Sequence, residues 1–258
     1  MNLNLKGKRA LVCGSTDGIG KATAQLLAER GASIILAARN QEKIVSVMHK
    51  LSGHGHSFIC ADFNDPDDLM KKAENHINDT GPVHILINNT GGPKGGPLIE
   101  GKAEEFQAAF NRHVISNQFL AQVVVPGMKE LGHGRIINII SMSVMQVIPG
   151  LGISNTIRGA VAQWAKTLAL ELGEYDITVN NILPGYTDTD RLKDLLQNQA
   201  KENGIRYDEM VELTAKKVSL RRIGQPEETA SAIAFLASDA SGYITGADFP
   251  VDGARFGL

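Results

Sequence analysis

Three glycines near the start of the chain have a spacing that suits the binding of a pyrophosphate. Gly14, Gly18 and Gly20 follow the order Gly-x-x-x-Gly-x-Gly, which differs from the commoner Gly-x-Gly-x-x-Gly. A turn without Cβ atoms lets the backbone approach phosphates closely, and the N-terminus of a following helix offers unpaired N–H groups and a positive dipole end. The turn residues predicted to contact a dinucleotide are Gly14, Ser15, Thr16, Gly18, Ile19 and Gly20.

The segments on both sides of this turn predict the elements that would position it. Residues 9–13 form an apolar run typical of a buried strand, and residues 21–30 predict a helix that Gly31 ends as a C-terminal cap. Residues 33–38 predict a second buried strand. Strand, glycine turn, helix and strand are the arrangement that holds a dinucleotide, so turn chemistry alone does not explain the glycines.

The end of the second predicted strand indicates which dinucleotide is bound. A carboxylate there holds the 2′-hydroxyl of NAD, whereas an arginine accommodates the 2′-phosphate of NADP. The chain has Ala38 followed by Arg39, which favours NADP(H), with NAD(H) as the other cofactor considered. Asp17 in the glycine turn is the opposing indication, because it places a negative charge near the phosphates. The alternative for Arg39 is an ordinary solvated cation in a loop.

A third predicted strand, residues 57–60, is followed by two side chains that could bind adenine. Asp62 could accept a hydrogen bond from the adenine amino group, and Phe63 could pack on the ring. The alternative for Asp62 is a turn or helix-capping role. His54 and His56 precede this strand, but two ligands without a third nearby are poor evidence for a metal. We therefore expect no metal and a solvated turn at the two histidines.

The remaining pattern of strands and helices predicts the fold. Further strands are predicted at residues 84–87, 134–140, 177–183 and 247–251. The helical segments between them include a long helix over 104–130, interrupted only by Pro126, and a lid-like segment over about 188–217. This alternation predicts an α/β fold of the Rossmann type: a doubly wound, mostly parallel sheet of seven strands with helices on both faces. Ligands then bind at the carboxyl ends of the strands, where Asn88 and Asn89 can pin a loop.

Length and composition narrow the class of protein. The chain has 258 residues and no linker or repeat, so a single domain over residues 1–258 is expected. A net charge of −2 gives no electrostatic footprint for nucleic acid, and no apolar stretch is long enough to cross a bilayer. There is no signal-peptide core, and Cys13 and Cys60 are expected to be buried thiols rather than a disulfide. These features favour a cytoplasmic protein.

The sequence resembles the short-chain dehydrogenase/reductase family over nearly its whole length. Residues 13–20 match the family's Thr-Gly-x-x-x-Gly-x-Gly with Cys13 in place of threonine, and residues 88–91 match Asn-Asn-Ala-Gly. Residues 184–189 match the Pro-Gly-x-x-x-Thr loop beside the nicotinamide. The endings of members that are similar to 3-oxoacyl-acyl-carrier-protein reductases are matched at residues 222–228, 243–246 and 251–253.

The family's catalytic positions are where the sequence departs from the pattern. The resemblance places Ser141 at the catalytic serine. However, Ser154 stands at the tyrosine, Arg158 at the lysine and His113 at the asparagine. No shift of register restores the tyrosine, because the first of the four tyrosines in the chain is Tyr175. The chain resembles a divergent subgroup of reductase-like members with the same Ser-Asn-x-x-Arg signature and a Gly-Gly-Pro after the asparagines.

The resemblance implies altered roles at these positions. A serine is a far weaker acid than a phenol, whose pKa is about 10, so Ser154 does not simply inherit the proton transfer. Arg158 keeps the positive charge and can bind the nicotinamide ribose, but it does not give up a proton. With a reference pKa of about 6.5, His113 could feed protons through water, Ser154 or Ser141; the alternative is a histidine that only packs. Ser141 can hydrogen-bond a substrate oxygen, and Tyr186 is a second candidate phenol whose expected role is to line the pocket.

The implied function is that of an NADP(H)-preferring oxidoreductase that transfers hydride between nicotinamide and a small carbonyl or alcohol. The alternative is a cofactor-binding protein without hydride chemistry, such as a sensor or a non-catalytic partner subunit. The resemblance also implies a homotetramer or dimer, without nucleic acid or membrane as a partner. The cofactor contacts that it adds to those of the glycine turn are Asn89, Gly91, Arg158, Pro184, Gly185, Thr187 and Thr189.

Overall fold

Seven parallel strands form one sheet in the computed structural model, which describes residues 2–255. The strands are β1 (Arg9–Cys13), β2 (Ser33–Ala38), β3 (Ser57–Cys60), β4 (Ile85–Asn88), β5 (Gly134–Ile139), β6 (Ile177–Pro184) and β7 (Asp248–Val251). Their order across the sheet is β3-β2-β1-β4-β5-β6-β7, and each neighbouring pair is parallel. The helices are α1 (Gly18–Glu29), α2 (Gln41–Met48), α3 (Pro66–Thr80), α4 (Ala103–Phe110), α5 (Ser116–Leu131), α6 (Gly152–Leu172), α7 (Asp190–Asn203), α8 (Tyr207–Lys216) and α9 (Pro226–Ala237). The predicted doubly wound α/β fold is confirmed.

Apolar side chains on both faces of the sheet explain why helices cover both sides. One core joins the sheet to Leu27 of α1, Ile44 of α2 and Ile233 of α9. The second core joins the other face to Leu69 of α3 and Leu120 of α5. The order of the strands reverses at β1, which has β2 on one side and β4 on the other. In such sheets the ligand crevice opens at this reversal, beyond the carboxyl ends of the strands.

A row of buried amide side chains ties four neighbouring strands together. Asn88 of β4, Asn138 of β5, Asn181 of β6 and Asp248 of β7 are paired in register. Each asparagine Nδ2 donates to the next residue in the row, at 2.9 Å, 3.0 Å and 2.9 Å in that order. Lys166 of α6 ends the row by donating to the Asp248 carboxylate at 2.6 Å. The row fixes the relative positions of these four strands.

The long helix predicted over residues 104–130 is present, because helical structure runs without a break over residues 103–131, but the predicted interruption at Pro126 is wrong. The structure has α4, then a π-helical turn over Asn111–Ile115, then α5. Pro126 lies inside α5, which continues to Leu131 without interruption there. A π turn inserts an extra residue into a helix and often marks a functional site. Here it places the side chain of His113 in the protein interior.

The predicted lid consists of two helices beyond the carboxyl end of β6. Gly204 ends α7 with a positive φ of 64°, a conformation that glycine adopts readily, and α8 begins at Tyr207. Leu192, Leu196 and Met210 form a small core between the two helices. The lid is thus a packed helical pair with its own apolar contacts.

The two cysteines and the histidine turn show ordinary structural roles. Both cysteines are free thiols; Cys13 is buried as expected, whereas Cys60 is only partly buried, contrary to the expectation. Burial raises the pKa of Cys13 to about 12, so it stays protonated and unreactive. His56 accepts a hydrogen bond from the Ile34 backbone N–H at 3.1 Å.

Within residues 2–255 no group of three or more metal-ligating side chains is found. No helix in the same range has the length and apolar character needed to cross a membrane.

Candidate active site

The glycine turn after β1 forms a cradle that side chains would fill. A Cβ atom on Gly20 would lie 2.1 Å from the carbonyl oxygen of Gly14, which itself has a φ of 58°. Asn89 Nδ2 fixes the turn by donating to the carbonyls of Cys13 and Gly14, each at 3.3 Å. The Ser15 hydroxyl is fully buried and has no hydrogen-bond partner within residues 2–255. A tight turn with glycine at its points of closest approach and a buried hydroxyl without a described partner fits the pyrophosphate of a dinucleotide.

The neighbouring side chains complete the fit to a dinucleotide. Asp17 caps α1 by accepting from the Gly18 N–H at 2.8 Å, so its carboxylate already has a local partner. The Thr189 methyl group would lie 2.8 Å from a Cβ on Gly18, which places the loop after β6 directly over the glycine turn. Arg39 is exposed at the end of β2, in the predicted position for a 2′-phosphate.

A cavity of about 640 Å³ lies at the carboxyl ends of the strands. It joins the glycine turn, the loops after β4, β5 and β6, and the first lid helix. The predicted site residues that line it are Ile19, Asn89, Ser141, Arg158, Pro184, Gly185, Tyr186, Thr187 and Thr189. The structure therefore brings two of the four candidate catalytic residues, Ser141 and Arg158, into one cavity with Tyr186 and part of the predicted cofactor contacts. Of the glycine turn, Ile19 lines this cavity, whereas Arg39 and Gly91 lie outside its wall.

Ser141 is held with its hydroxyl group at the cavity wall. It caps the short helical turn Met142–Val144, and its Oγ accepts from the Ser143 N–H at 3.1 Å. Because that contact uses the oxygen as an acceptor, the hydroxyl hydrogen stays available to donate. Ser141 can thus hydrogen-bond an oxygen atom of a ligand in the cavity.

Ser154, at the position of the family's tyrosine, is not brought to the cavity. It is buried in the first turn of α6 beside Ile153 and Ile157, and it is absent from the cavity wall. The reason is the short side chain, because a serine hydroxyl lies close to the helix backbone whereas a phenol would project well beyond it. The structure therefore gives Ser154 a packing position.

His113 also lies behind the cavity wall. Its pKa is far below the near-neutral value that the sequence led us to expect. Its ring is 2% exposed, and Nδ1 lies 2.7 Å from the hydroxyl oxygen of Thr90, which does line the cavity. Burial, followed by the positive charges of Arg158, Arg112 and Arg191, lowers the pKa of His113 to about 2. The imidazole is therefore neutral at physiological pH, and its described contact is the hydrogen bond with the Thr90 hydroxyl.

The buried neutral histidine makes the fold sensitive to acid. The unfolded chain binds a proton at His113 below a pKa of about 6.5, whereas the folded protein does so only near pH 2. Stability is therefore lost as the pH falls below about 6.5, by roughly 2 kcal/mol from this residue between pH 7 and pH 5. We expect His113→Gln to flatten the pH dependence of urea unfolding by that amount. The exposed His49→Gln is the control, and equal slopes for H113Q and wild type would contradict the assignment.

Arg158 retains a positive charge in the cavity wall. It is 8% exposed, and Nη1 donates to the carbonyl of Ile139 at 3.0 Å. Burial, with a smaller contribution from Arg191, lowers the pKa of Arg158 to about 10, so the guanidinium is still charged at neutral pH. It can act as a hydrogen-bond donor to a ligand, as expected from the sequence, but not as an acid.

The two candidate adenine contacts are placed differently. Asp62 is exposed, and its Oδ1 accepts from the backbone and side-chain nitrogens of Asn64, both at 2.9 Å, as in the turn alternative. This contact does not occupy the whole carboxylate, so the adenine contact of Asp62 stays a prediction. The Phe63 ring is buried in the core with Leu69 and Ala73, so it is not available to stack on a base.

Sequence reasoning missed three groups beside the cavity: Arg191, Arg255 and Thr90. Arg191 lies in the first turn of α7 and donates to the carbonyls of Gly92 and Pro93, each at 2.9 Å. The signal that could have found it is its place two residues after Thr189, in the loop that leads from the sheet edge into the lid.

Arg255 forms a close pair with Tyr186 in the cavity wall. Its Nη2 donates to the Tyr186 hydroxyl oxygen at 2.9 Å, and its guanidinium carbon lies 3.7 Å from the centre of the ring. These two residues are far apart in sequence and belong to no shared motif. The pair places a phenol beside a cation in the same cavity as Ser141.

Comparison with known proteins gives consistent matches along the whole chain. The family model described as enoyl-(acyl carrier protein) reductase matches residues 14–254. The 3-oxoacyl-acyl-carrier-protein reductase FabG of Vibrio cholerae is 34% identical over 256 residues, covering 98% of this chain and 99% of the relative. A tropinone reductase homolog of Arabidopsis thaliana is 32% identical over 255 residues, covering 97% of this chain and 92% of the relative.

Solved structures match equally well. L-sorbose reductase from Gluconobacter frateurii, in complex with NADPH and L-sorbose, has a TM-score of 0.92 at 29% identity, with full coverage of both chains. YwfH, an NADPH-dependent reductase involved in bacilysin biosynthesis, has a TM-score of 0.91 at 27% identity, covering 97% of this chain and 99% of that one. Two of the similar structures are thus described by their use of NADPH.

Proposed function

The chain belongs to the short-chain dehydrogenase/reductase family and is an NAD(P)-dependent oxidoreductase; on that premise we propose that it prefers NADP(H) and converts a small carbonyl or alcohol with a rebuilt proton donor. The observation that carries the proposal is the shared cavity, which joins Ile19 of the glycine turn to Ser141, Arg158 and Tyr186. Binding and chemistry then take place at one site.

The residues that would hold the cofactor are those of the cradle and the loops over it. Backbone N–H groups of the glycine turn, with the spare Ser15 hydroxyl, suit the pyrophosphate. Arg39 suits the 2′-phosphate, and the buried Arg158 suits the nicotinamide ribose. When bound, the nicotinamide supplies or accepts the hydride.

The residues of the chain itself supply the hydrogen bond and the proton. In the reducing direction Ser141 donates a hydrogen bond to the substrate oxygen, which gains negative charge as its carbon is reduced. Tyr186 gives its hydroxyl proton to that oxygen, and the O–H bond of the product alcohol forms as the phenol O–H bond breaks. Arg255, already hydrogen-bonded to the phenol oxygen, stabilises the phenolate until solvent restores the proton. In the oxidising direction the same groups act in reverse.

This assignment replaces the family's pairing with an equivalent one built from different elements. The expected family pair of tyrosine and lysine lies on one helix, whereas Tyr186 follows β6 and Arg255 follows β7. Both pairs consist of a phenol and an adjacent cation. The missing tyrosine at position 154 is therefore compatible with hydride transfer.

Arg39→Asp tests the cofactor preference. We expect it to weaken NADPH binding by about 10- to 100-fold, because it removes a charge-assisted contact to the 2′-phosphate and adds a repulsive charge. NADH binding should be unchanged or tighter, since a carboxylate at this position suits the 2′-hydroxyl. The measurement is a fluorescence titration of wild type and variant with each nucleotide.

The matched control for this titration is Arg30→Asp. Arg30 is an exposed arginine at the far end of α1 from the glycine turn, so the substitution makes the same change in charge away from the cradle. Equal NADPH and NADH affinity in the wild type would contradict the preference for NADP(H). Binding of neither nucleotide would contradict the proposed function itself.

A further inference from the structure

Positive charge is concentrated in the cavity beyond what the proposed hydride transfer uses. Among the described residues of its wall, the charged side chains are Lys94, Arg158, Arg191, Glu202 and Arg255. Four are cations and one is an acid. Arg255 is paired with Tyr186 and Arg158 suits the nicotinamide ribose, which leaves Arg191 and Lys94 without an assigned role.

Arg191 and Arg158 meet at the loop after β4. The position of a Cβ atom on Gly92 would lie 2.9 Å from Nη2 of Arg191 and 3.6 Å from Nη2 of Arg158. The two guanidinium groups are therefore neighbours beside Gly92, where a Cβ atom would crowd Arg191 and touch Arg158. Arg112 approaches the same loop from outside and donates to the Gly91 carbonyl at 3.3 Å.

No carboxylate within residues 2–255 forms an ion pair with any of these three arginines. Their hydrogen bonds go to neutral acceptors, namely backbone carbonyls and the Asn64 side chain. Burial lowers the pKa of Arg158 and of Arg191, and in each case a neighbouring arginine lowers it further. Arg158 is buried, whereas Arg191 is an exposed side chain beside it. A buried charge next to a like charge is costly without a counterion, and an anion bound between the two groups would offset that cost.

The carbonyl contacts of Arg191 also fix its direction. Nη1 and Nη2 are held by Gly92 and Pro93 on one side, so the guanidinium plane is set before any ligand arrives. An arginine fixed in this way loses little freedom on binding, and its planar group suits the oxygens of a carboxylate or a phosphate. It lies on the first helix of the lid, and Ser141 lines the same cavity.

We propose that the substrate is itself an anion, a small oxo acid or keto phosphate (or the matching hydroxy compound), whose oxyanion is bound between Arg191 and Arg158. The inference rests on the proposed function, because it assumes that the reacting carbonyl lies at Ser141 and Tyr186. It specifies that the substrate carries a negative charge, which the hydride-transfer reaction of the family does not determine.

The experiment compares charged probes with their uncharged counterparts on the complex with NADPH. NADPH is first titrated onto the wild type, Arg191→Gln and Lys201→Gln. Each complex is then titrated calorimetrically with acetoacetate and methyl acetoacetate, and with dihydroxyacetone phosphate and dihydroxyacetone. Lys201 is an exposed cation on the same helix, outside the cavity wall, so its variant controls for a general change in charge.

We expect wild type to bind at least one of the two anions more tightly than its uncharged counterpart. Arg191→Gln should weaken that anion by about 10- to 100-fold, the range for hydrogen bonds to a charged group. It should leave the uncharged probe and NADPH unchanged, and Lys201→Gln should resemble wild type. A difference within the acetoacetate pair identifies the bound group as a carboxylate, and a difference within the dihydroxyacetone pair identifies it as a phosphate.

Three results would overturn the inference while the proposed function stands. These are uncharged probes bound as tightly as the anions, no binding of either anion, and an equal loss of NADPH affinity in Arg191→Gln. The last would mean that Arg191 serves the cofactor phosphates. Failure of wild type to bind NADPH in the first titration would instead refute the proposed function. If Arg191→Gln does not fold, Arg191→Lys keeps the charge but loses the planar group, and an intermediate loss of anion affinity is expected.

Discussion

Replacing Tyr186 with phenylalanine is expected to lower kcat by about 100- to 10,000-fold, the range for loss of a general acid. The ring stays in place and keeps its contact with Arg255, so only the hydroxyl is removed. NADPH affinity and the midpoint of thermal unfolding should therefore be unchanged. The measurement is steady-state reduction of a substrate found in a carbonyl screen, with NADPH titrated separately.

Tyr243→Phe is the matched control, because Tyr243 is fully exposed and its hydroxyl touches no part of the cavity. The pH profile adds a readout that a merely structural role would not move. The pH dependence of kcat should change in Tyr186→Phe and stay that of the wild type in Tyr243→Phe. An unchanged kcat in Tyr186→Phe would refute the proton-donor assignment and direct attention to Ser141.

The second large effect is expected from Gly20→Ala in the glycine cradle. The added Cβ would lie 2.1 Å from the Gly14 carbonyl oxygen and 2.7 Å from Asn89 Nδ2. Since the first of these atoms belongs to the backbone, the turn has to move, and the surface that meets the pyrophosphate moves with it. We expect NADPH affinity to fall by more than about 100-fold, and the free energy of unfolding to fall by about 1–3 kcal/mol, as for other overpacked sites.

Gly159→Ala controls for the loss of a glycine from a helix. A Cβ on Gly159 meets nothing within 4 Å, and the residue is exposed on α6. Alanine there should leave NADPH affinity unchanged and raise the free energy of unfolding by about 0.5–1 kcal/mol. Fluorescence titration and urea unfolding test both variants. Near-normal NADPH binding by Gly20→Ala would show that the turn does not carry the cofactor.

Local patterns predicted the sheet and the glycine turn, because strands, helices and tight turns depend on residues that are near one another in sequence. The position of Arg39 at the end of β2 followed from the same reasoning. The pKa of His113 could not be predicted in this way, since it depends on burial by a π turn and on arginines from three different segments.

The sequence also could not show which candidate side chains reach the cavity. Ser154 occupies the expected helix and turn, yet its side chain is too short to reach the wall that its position faces. The pairing of Tyr186 with Arg255 joins two segments that local spacing does not connect. Such contacts arise only when the sheet edge is assembled, which is why the site was less predictable than the fold.

The amide row across the sheet has only one favourable orientation, and the reason lies at its edge. A carboxylate can only accept hydrogen bonds, so the NH₂ group of Asn181, and not its oxygen, must face Asp248. The oxygen of Asn181 then selects the NH₂ of Asn138, and Asn138 selects that of Asn88 in the same way. One carboxylate at the edge strand thus sets the direction of every hydrogen bond across four strands. It leaves Asn88 Oδ1 as a buried acceptor without a partner among the described residues, next to the loop after β4.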